Sequence, residues 1–409
     1  MNKNMIKKYA ELIVNVGANV QKGQDVVIFS SVETYEFVKL LTYFCYKRKA
    51  RSVEVIWSYD ALSIYHSKYC SLKTLSSIPP HVIEKQKYYV ETNPARIYIL
   101  SEDPDSLKGM NQEKIMKANQ KIYPILKPFK DQMENRYQWV IAGYPSYRWA
   151  KKVFPHLKKN EAYKALLDAI LKTSRADNDN PIEAWEKHNA NLASKMDKLN
   201  SLHIKELHYK ASNGTDFTVG LIENALFLAG KEKALGSNIV YNPNIPSEEI
   251  FTTPKKGMME GVVHSSKPLS YNGELIENFY FVFKDGKVVE AHAEKNEQLL
   301  NQMINMDESS SYLGEVALVP FDSPINNTNI LFYNTLYDEN ASCHLAHGMG
   351  FDNVIKDYEK YTKEEIKNFG VNDSMIHVDF MIGTKDLMIE ATTFEGEKIL
   401  IFKDGNWAI

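Results

Sequence analysis

Histidine and acidic side chains interrupt four apolar segments in the second half of the sequence, and they are its best candidates for chemistry. In the segment of residues 375–382, His377 and Asp379 stand among apolar neighbours. Side chains alternate between the faces of a strand, so this imidazole and this carboxylate project from the same face. Burying two ionisable groups is costly unless partners or a metal ion compensate them. The pattern indicates either a metal site or a hydrogen-bonded His–Asp pair on a half-exposed face.

A single carboxylate, Glu315, lies inside the strand-like apolar run of residues 313–320. Glutamate is rarely fully buried when it has no partner. Two interpretations stay open from this segment alone. Glu315 either faces a buried site with a compensating cation, or it is the outward residue of an edge strand.

A third segment combines acidic residues with two histidines. Asp338 or Asn340 could cap a short helix, which would leave Glu339 near its start. His344 and His347 follow three residues apart, a spacing that places both on one face of a helix. Two imidazoles and a carboxylate would then meet. The alternative is a capped helix whose histidines are solvated.

The fourth segment, residues 244–254, carries the adjacent acids Glu248 and Glu249 between prolines. Neighbouring residues of an extended segment face opposite ways, so only one of the two carboxylates can point at a given metal ion. The other is then free to serve as a base or to orient a ligand. In isolation, such a pair is usually surface charge.

Taken together, the four segments supply a carboxylate-rich set of ligands with two imidazoles. Such a mixture suits a pair of divalent ions, and zinc, manganese or cobalt fits it. The sequence therefore predicts a dinuclear metal site in the second half of the chain.

The elements that position these residues differ between the two halves. The first half alternates β-branched runs with amphipathic helical stretches, which is typical of a sheet covered by helices. The predicted strands are residues 26–29, 53–57, 96–100 and 139–143. We therefore expect an N-terminal α/β domain with a largely parallel sheet.

Residues 160–202 have a helical pattern, and Pro181 is placed to open a second helix within it. We place a boundary here, between an N-terminal domain of residues 1–180 and a C-terminal catalytic metal-binding domain of residues 181–409. Beyond it, the pairs that begin at Asp285, Glu395 and Asp404 each end in glycine, which accepts the positive φ of a hairpin turn. The second half is predicted to be an α+β domain with antiparallel strands that carry the metal site.

The composition limits the classes of partner that we expect the protein to bind. A formal net charge of −3 provides no basic field for nucleic acid or an anionic membrane, so neither is an expected partner. The sequence has no signal-peptide pattern and no stretch suited to crossing a bilayer. Its three cysteines, scattered without CxxC spacing, fit a reducing compartment. We expect a cytoplasmic protein.

The four segments resemble, in order and spacing, those of the thermophilic metalloaminopeptidase family typified by aminopeptidase T and aminopeptidase S, which includes PepS-like members. The matching runs are NIPSEEIFTTP, LGEVALVP, LYDENASCHLAHG and MIHVDFMIGT. The resemblance extends over nearly the whole chain. It implies that the metal ligands fall on Glu249, Glu315, Glu339, His344, His377 and Asp379.

The resemblance further implies that Glu315 and Asp379 bridge the two ions and that His347 is not a ligand. The implied activity is exopeptidase cleavage of short peptides, by homodimers whose active sites face an enclosed interior. One position departs from the pattern. Family members carry Tyr seven residues after the liganding histidine, where this sequence has Phe351, so a hydroxyl from Tyr358 or Tyr337 would have to replace it.

For the mechanism, we expect a metal-activated water to attack the first peptide carbonyl while Glu248 moves its proton to the leaving amine. Two other classes stay open. A dinuclear phosphoesterase uses similar ligands, although this sequence has no P-loop or glycine-rich phosphate cradle. A non-catalytic metal-binding or peptide-binding protein is the third class.

Overall fold

The computed structural model describes residues 3–409, which form two compact units. Of the described residues, one unit comprises 3–188 and 231–247, and the other comprises 189–230 and 248–409. The units are thus interleaved along the chain, because residues 231–247 return to the first unit. The domain division at residue 180 stays a prediction.

The first unit contains a five-stranded sheet flanked in sequence by helices. Four of its strands are β1 (Asp25–Ser31), β2 (Ser52–Ser58), β3 (Ala95–Leu100) and β4 (Trp139–Gly143). They pair in parallel, in the order β4-β3-β1-β2. The parallel α/β arrangement predicted from the sequence is confirmed, as are all four predicted strands.

The helices alternate with these strands, as the amphipathic stretches predicted. They are α1 (Lys3–Leu12), α2 (Tyr35–Lys47), α3 (Asp60–Tyr69), α4 (Leu72–Leu75), α5 (Pro80–Thr92), α6 (Gln112–Met133), α7 (Tyr147–Val153), α8 (Lys159–Thr173) and α9 (Pro181–Asn200). A single π-helical turn, Ile13–Gly17, continues α1. Pro181 does open α9, since proline at the first helical position loses no hydrogen bond there.

The rest of the chain is dominated by strands, nearly all of which pair antiparallel. They are β5 (Ile204–Lys210), β6 (Asp216–Leu221), β7 (Leu228–Ala229), β8 (Glu232–Lys233), β9 (Val240–Tyr241), β10 (Asn244–Ile245), β11 (Ile250–Thr252), β12 (Pro254–His264), β13 (Leu269–Tyr271), β14 (Glu274–Lys284), β15 (Lys287–Lys295), β16 (Leu313–Leu318), β17 (His344–Gly348), β18 (His377–Met381), β19 (Met388–Thr393), β20 (Lys398–Lys403) and β21 (Asn406–Trp407). Three of them, β8, β9 and β10, belong to the first unit, where β10 pairs in parallel with β4.

Three short helices accompany these strands, and they are α10 (Glu297–Ile304), α11 (Thr335–Glu339) and α12 (Lys363–Phe369). The predicted hairpins are present. Asp285 and Gly286, both with positive φ, join β14 to β15. Asp404 and Gly405 join β20 to β21 in the same way. Positive φ at both central residues matches the right-handed twist of the flanking strands.

Two antiparallel sheets make the core of the second unit. A nine-stranded sheet has the order β13-β14-β12-β6-β5-β19-β20-β21, with β15 on β14. The other, called here the site sheet, has the order β18-β17-β16-β11-β7. Their apolar faces share one buried cluster, in which Phe281 of β14 contacts Phe380 of β18 with ring centroids 5.1 Å apart. Across residues 3–409, no helix combines the length and the apolar character needed to traverse a bilayer.

Candidate metal centre

The register of the site sheet brings the predicted acids into one row. Ala346 of β17 lies opposite Glu315 of β16 on one side and opposite Asp379 of β18 on the other. Residues directly opposite each other share a face of the sheet. The two carboxylates therefore flank the small methyl group of Ala346. His344 projects from this same face, two residues before Ala346.

The register shifts by one residue at Gly314, and this shift determines which way Glu315 points. Leu313 pairs with His347, whereas Glu315, two residues later, pairs with Ala346. A bulge of this kind turns a side chain to the other face of its sheet. Glu315 thereby faces the site while Leu313 enters the apolar core. Only glycine fits at position 314, because an added Cβ would lie 2.1 Å from the carbonyl oxygen of Met349.

Glu249 immediately precedes β11 and reaches the same face. Its Oε2 atom lies 3.3 Å from Nε2 of His344. Nδ1 of His344 donates to the backbone carbonyl of Ser342 at 3.3 Å. Both Glu249 and His344 are buried. The ring is thus anchored by one nitrogen and turned toward carboxylates with the other.

His377 is held in the same manner at the edge of the sheet. Its Nδ1 atom donates to the backbone carbonyl of Met349 at 2.8 Å. Its Nε2 atom lies 3.0 Å from Oε2 of Glu315 and 3.3 Å from Oδ1 of Asp379. Metal-ligating histidines typically have this arrangement, in which a backbone acceptor sets the tautomer and orients the ring.

Two overlapping groups of donors result. Glu249, Glu315 and His344 form one group, and Glu315, His377 and Asp379 form the other. Within each group the donor atoms lie within 4.8 Å of one another, and Glu315 belongs to both. The structure thus brings together five of the six side chains that the sequence analysis named as ligands.

The sixth side chain, Glu339, approaches from α11. It is the last residue of that helix and is half-buried. Burial raises the pKa of Glu339 well above its usual range, and the nearby carboxylates of Asp379, Glu249 and Glu315 raise it further. Glu339 therefore lies within the electrostatic field of both donor groups.

The electrostatics of the cluster favour a bound cation. Burial raises the pKa of Glu315 to about 7, although the hydrogen bond from His377 opposes this rise. Burial acts to lower the pKa of His344, but the carboxylates of Glu249 and Glu315 outweigh it and raise that pKa to about 9. If all four acids of the cluster were ionised, they would carry more buried negative charge than two imidazoles can balance, and such charge is costly unless protons or a bound cation compensate it.

The whole chain matches one known family. The family described as thermophilic metalloprotease (M29) matches residues 2–407. This chain belongs to the M29 metalloprotease family. The family resemblance noted in the four segments is thereby confirmed.

Relatives of this metalloprotease are similar over nearly their entire lengths. Aminopeptidase AmpS from Bacillus subtilis is 40% identical over 404 residues, which cover 98% of each chain. Aminopeptidase T from Thermus thermophilus is 35% identical and covers 100% of this chain and 99% of its own. The solved structure of wild-type AmpT from Thermus thermophilus matches with a TM-score of 0.90, at 34% identity and with both chains fully covered. The chain is a metalloaminopeptidase, and the predicted fold class is confirmed.

Glu248 is also buried in this metalloprotease, but its carboxylate lies outside both donor groups. Its backbone N–H donates to Oδ1 of Asn340 at 2.6 Å. Burial lowers the pKa of Lys195, and the carboxylate of Glu248 opposes this effect. The two adjacent acids thus have different surroundings, as alternation along an extended segment predicts.

The predicted helix with His344 and His347 on one face is wrong, and His347 belongs to neither donor group. Residues 344–348 form strand β17, in which a spacing of three places side chains on opposite faces. The ring of His347 lies among the apolar side chains of the core, 4.5 Å from the ring of Phe281 and 5.2 Å from that of Phe380. Burial there lowers the pKa of His347 to about 3.

The predicted cap also differs from the structure. Helix α11 ends at Glu339 rather than beginning near it, and Asn340 is its C-terminal cap. The carboxylate of Asp338 accepts hydrogen bonds from the backbone N–H groups of Phe332 and Asn334, at 2.8 and 3.0 Å. Asp338, a residue of the helix, thus stabilises the loop that precedes the helix. A residue chosen as an N-terminal cap would instead accept hydrogen bonds from N–H groups that follow it.

Phe351 packs against the ring of His377, with centroids 5.0 Å apart, and against Phe251 at 5.1 Å. This phenyl ring supports the partly exposed histidine at the edge of the site sheet. The hydroxyl that a tyrosine would supply here is absent. Three contacts of this site were not predicted from the sequence: those of the carbonyl groups of Ser342 and Met349 with the imidazoles, and that of the Asn340 amide with Glu248. No local signal marks these groups, because they act through partners that are distant in sequence.

Proposed function

We propose that this metalloaminopeptidase releases N-terminal amino acids from short peptides, using two divalent ions held by the cluster described above. The observation that supports this most directly is the matched orientation of the two imidazoles. In His344 and His377 alike, Nδ1 is engaged by a backbone carbonyl and Nε2 faces carboxylates. Glu315, which belongs to both donor groups, suits a ligand shared between two ions.

The donor set fits divalent ions of borderline hardness. Carboxylate oxygens and imidazole nitrogens together suit zinc, manganese or cobalt, and the described ligand set includes no thiolate. We assign Glu249, Glu315 and His344 to one ion and Glu315, His377 and Asp379 to the other. Glu339 completes the site from α11. A bridging role for Asp379 is part of the same proposal.

When bound, such ions supply a water of lowered pKa and polarise the carbonyl group of the first peptide bond. The chain's own residues orient the ligands, transfer the proton and attract the substrate. The carbonyl groups of Ser342 and Met349 keep both imidazoles turned toward the site. Glu248 accepts the proton of the attacking water and delivers it to the leaving amine. The excess of carboxylates attracts the positively charged α-amino group of the substrate, which favours cleavage at the N-terminus.

The proposal is tested with three chromogenic substrates on metal-free and metal-reconstituted protein. We expect the reconstituted protein to hydrolyse leucyl-p-nitroanilide and the metal-free protein to be inactive. N-acetyl-leucyl-p-nitroanilide, which lacks the free amine, is the matched control and should not be cleaved. Hydrolysis of p-nitrophenyl phosphate with no cleavage of the anilide would favour a phosphoesterase. Binding of two ions without any turnover would favour a non-catalytic metal-binding protein.

We further propose that the chain is a cytoplasmic homodimer. Among the described residues Cys45, Cys70 and Cys343 are all free thiols, which suits a reducing compartment. Light scattering coupled to size-exclusion chromatography should give twice the chain mass of 46.9 kDa. A single-chain mass at micromolar concentration would contradict the dimer.

A further inference from the structure

Asn340 belongs to the segment that bears Glu339 and contacts the segment that bears Glu249. It caps the C-terminus of α11 and is fully buried, with 0% of the residue exposed. Its backbone carbonyl accepts a hydrogen bond from Oγ of Ser323 at 2.7 Å, which fixes the main chain at this point. The side chain is an uncharged amide in a cluster dominated by carboxylates.

The amide uses both of its ends. Oδ1 accepts the hydrogen bond from the backbone N–H of Glu248 at 2.6 Å. Nδ2 donates to the carbonyl of Leu336 at 2.9 Å and lies 3.3 Å from Oε1 of Glu339. The partners determine which end is which, because a backbone N–H needs an acceptor and a backbone carbonyl needs a donor.

Glu248 and Asn340 are 92 residues apart in sequence, so this hydrogen bond joins two distant segments that bear proposed ligands. The carboxylate of Glu249 extends from the residue after the anchored N–H of Glu248. The carboxylate of Glu339 is contacted directly. A shift of this amide would move both carboxylates relative to the rest of the cluster, and buried interiors transmit such shifts because they are closely packed.

We propose that Asn340 is a positioning residue, which sets the separation between Glu249 and Glu339 and so the geometry of the metal pair. This inference rests on the proposed function. Asparagine meets the requirement because it combines one acceptor with two donors and carries no charge. Aspartate would keep the acceptor for Glu248 but lose the donors and add a negative charge beside Glu339. Groups that orient metal ligands typically change metal affinity by about 10–100-fold when they are removed.

The experiment compares Asn340→Ala and Asn340→Asp with a matched control, Asn200→Ala. The amide of Asn200 likewise accepts a hydrogen bond from a backbone N–H and donates one to a backbone carbonyl, both of Phe227, at 2.7 and 3.0 Å. The control variant therefore removes an amide with the same kinds of partner, and Phe227 lies outside the segments that bear the proposed ligands. Each metal-free protein is titrated with zinc by calorimetry and with cobalt while the visible absorption spectrum is recorded. Thermal unfolding of each metal-free protein measures the purely structural effect.

We expect both Asn340 variants to bind zinc about 10–100-fold more weakly and to show an altered cobalt spectrum. The Asn200 variant should unfold at a lower temperature but retain the wild-type spectrum and affinity. The inference is overturned if the Asn340 variants lose only thermal stability and keep the wild-type spectrum. The Asn340→Asp variant, which retains the acceptor for Glu248, provides the same comparison if the alanine variant does not fold.

The wild-type titration separates this inference from the proposed function. Two bound cobalt ions in the wild type, together with unaltered binding in the variants, would reject only the role of Asn340. A wild-type protein that binds no cobalt would reject both.

Discussion

Nε2 of His377 lies 3.0 Å from Oε2 of Glu315, although 62 residues separate the two in sequence. The contact joins the edge strand β18 to the interior strand β16, passing over β17 between them. Small residues on β17 make it possible, since Ala346 lies between Glu315 and Asp379, and Gly348 lies opposite His377. Without a metal ion, the stability of this network depends on which of its side chains are protonated. The stability of the protein should therefore change with pH.

Removing the charge of Glu315 should stabilise the metal-free protein and weaken its response to metal. Burial raises the pKa of Glu315 from 4.5 to about 7, so the folded state holds a proton that the unfolded state releases between these values. The wild type therefore loses stability as pH rises from about 5 to 7, by roughly 3 kcal/mol at most. We expect Glu315→Gln to show no such loss of stability. Calorimetry in EDTA at pH 5 and pH 8 measures the change in stability of each protein. The same change in both proteins would contradict a raised pKa for Glu315.

The two adjacent glutamates should respond differently to the same substitution. We expect Glu249→Gln to lose zinc affinity, because Glu249 lies in a donor group with His344 and Glu315. Glu248→Gln should retain both ions and lose turnover by about 100-fold or more, as is typical when a general base is removed. Metal content by mass spectrometry and kcat for leucyl-p-nitroanilide separate the two effects. Full turnover in Glu248→Gln would reject its role as the base.

Replacing His347 by an apolar residue should make the protein more resistant to acid. Burial lowers the pKa of His347 from 6.5 to about 3, so below pH 6.5 the unfolded state binds a proton that the folded state does not. Stability is fully present above pH 6.5 and falls toward pH 3, by about 1.4 kcal/mol per pH unit. In His347→Leu this dependence should disappear. Urea unfolding at pH 7 and pH 5 checks it, and an unchanged difference between the two pH values would refute the prediction.

A methyl group at position 314 should disturb both folding and metal binding. An added Cβ would lie 2.1 Å from the carbonyl oxygen of Met349, which is backbone and cannot move away cheaply. The bulge that turns Glu315 toward the site would be lost or distorted. We expect Gly314→Ala to bind zinc at least about 10-fold more weakly and to unfold at a lower temperature.

The matched control for this substitution is Gly220→Ala on strand β6. Its added methyl group would lie 2.8 Å from Cβ of Met258, so this substitution also disturbs packing, but between strands β6 and β12 of the nine-stranded sheet. Zinc affinity should be retained in this control. Equal zinc affinities for the two alanine variants would show that the bulge does not aim Glu315.

The elements of this protein follow closely from its sequence. The four parallel strands of the first unit, the opening of α9 at Pro181 and the glycine-containing hairpins all depend on neighbouring residues. The same is true of His377 and Asp379, which share a face because they are two residues apart on an unbroken strand. Local periodicity and backbone preferences act within a few residues, so the sequence displays them directly.

The site itself depends on relationships that local patterns do not contain. Glu315 and Leu313 have the spacing of residues on one face, yet the bulge at Gly314 separates them. His344 and His347 are close in sequence, but residues 344–348 pair as a strand instead of forming a helix. A spacing of three in a strand places the two side chains on opposite faces, so His347 enters the apolar core. Register between strands and the contact of Asn340 with Glu248 join residues far apart in the chain. Only the packed tertiary structure decides them, since it determines which distant groups become neighbours.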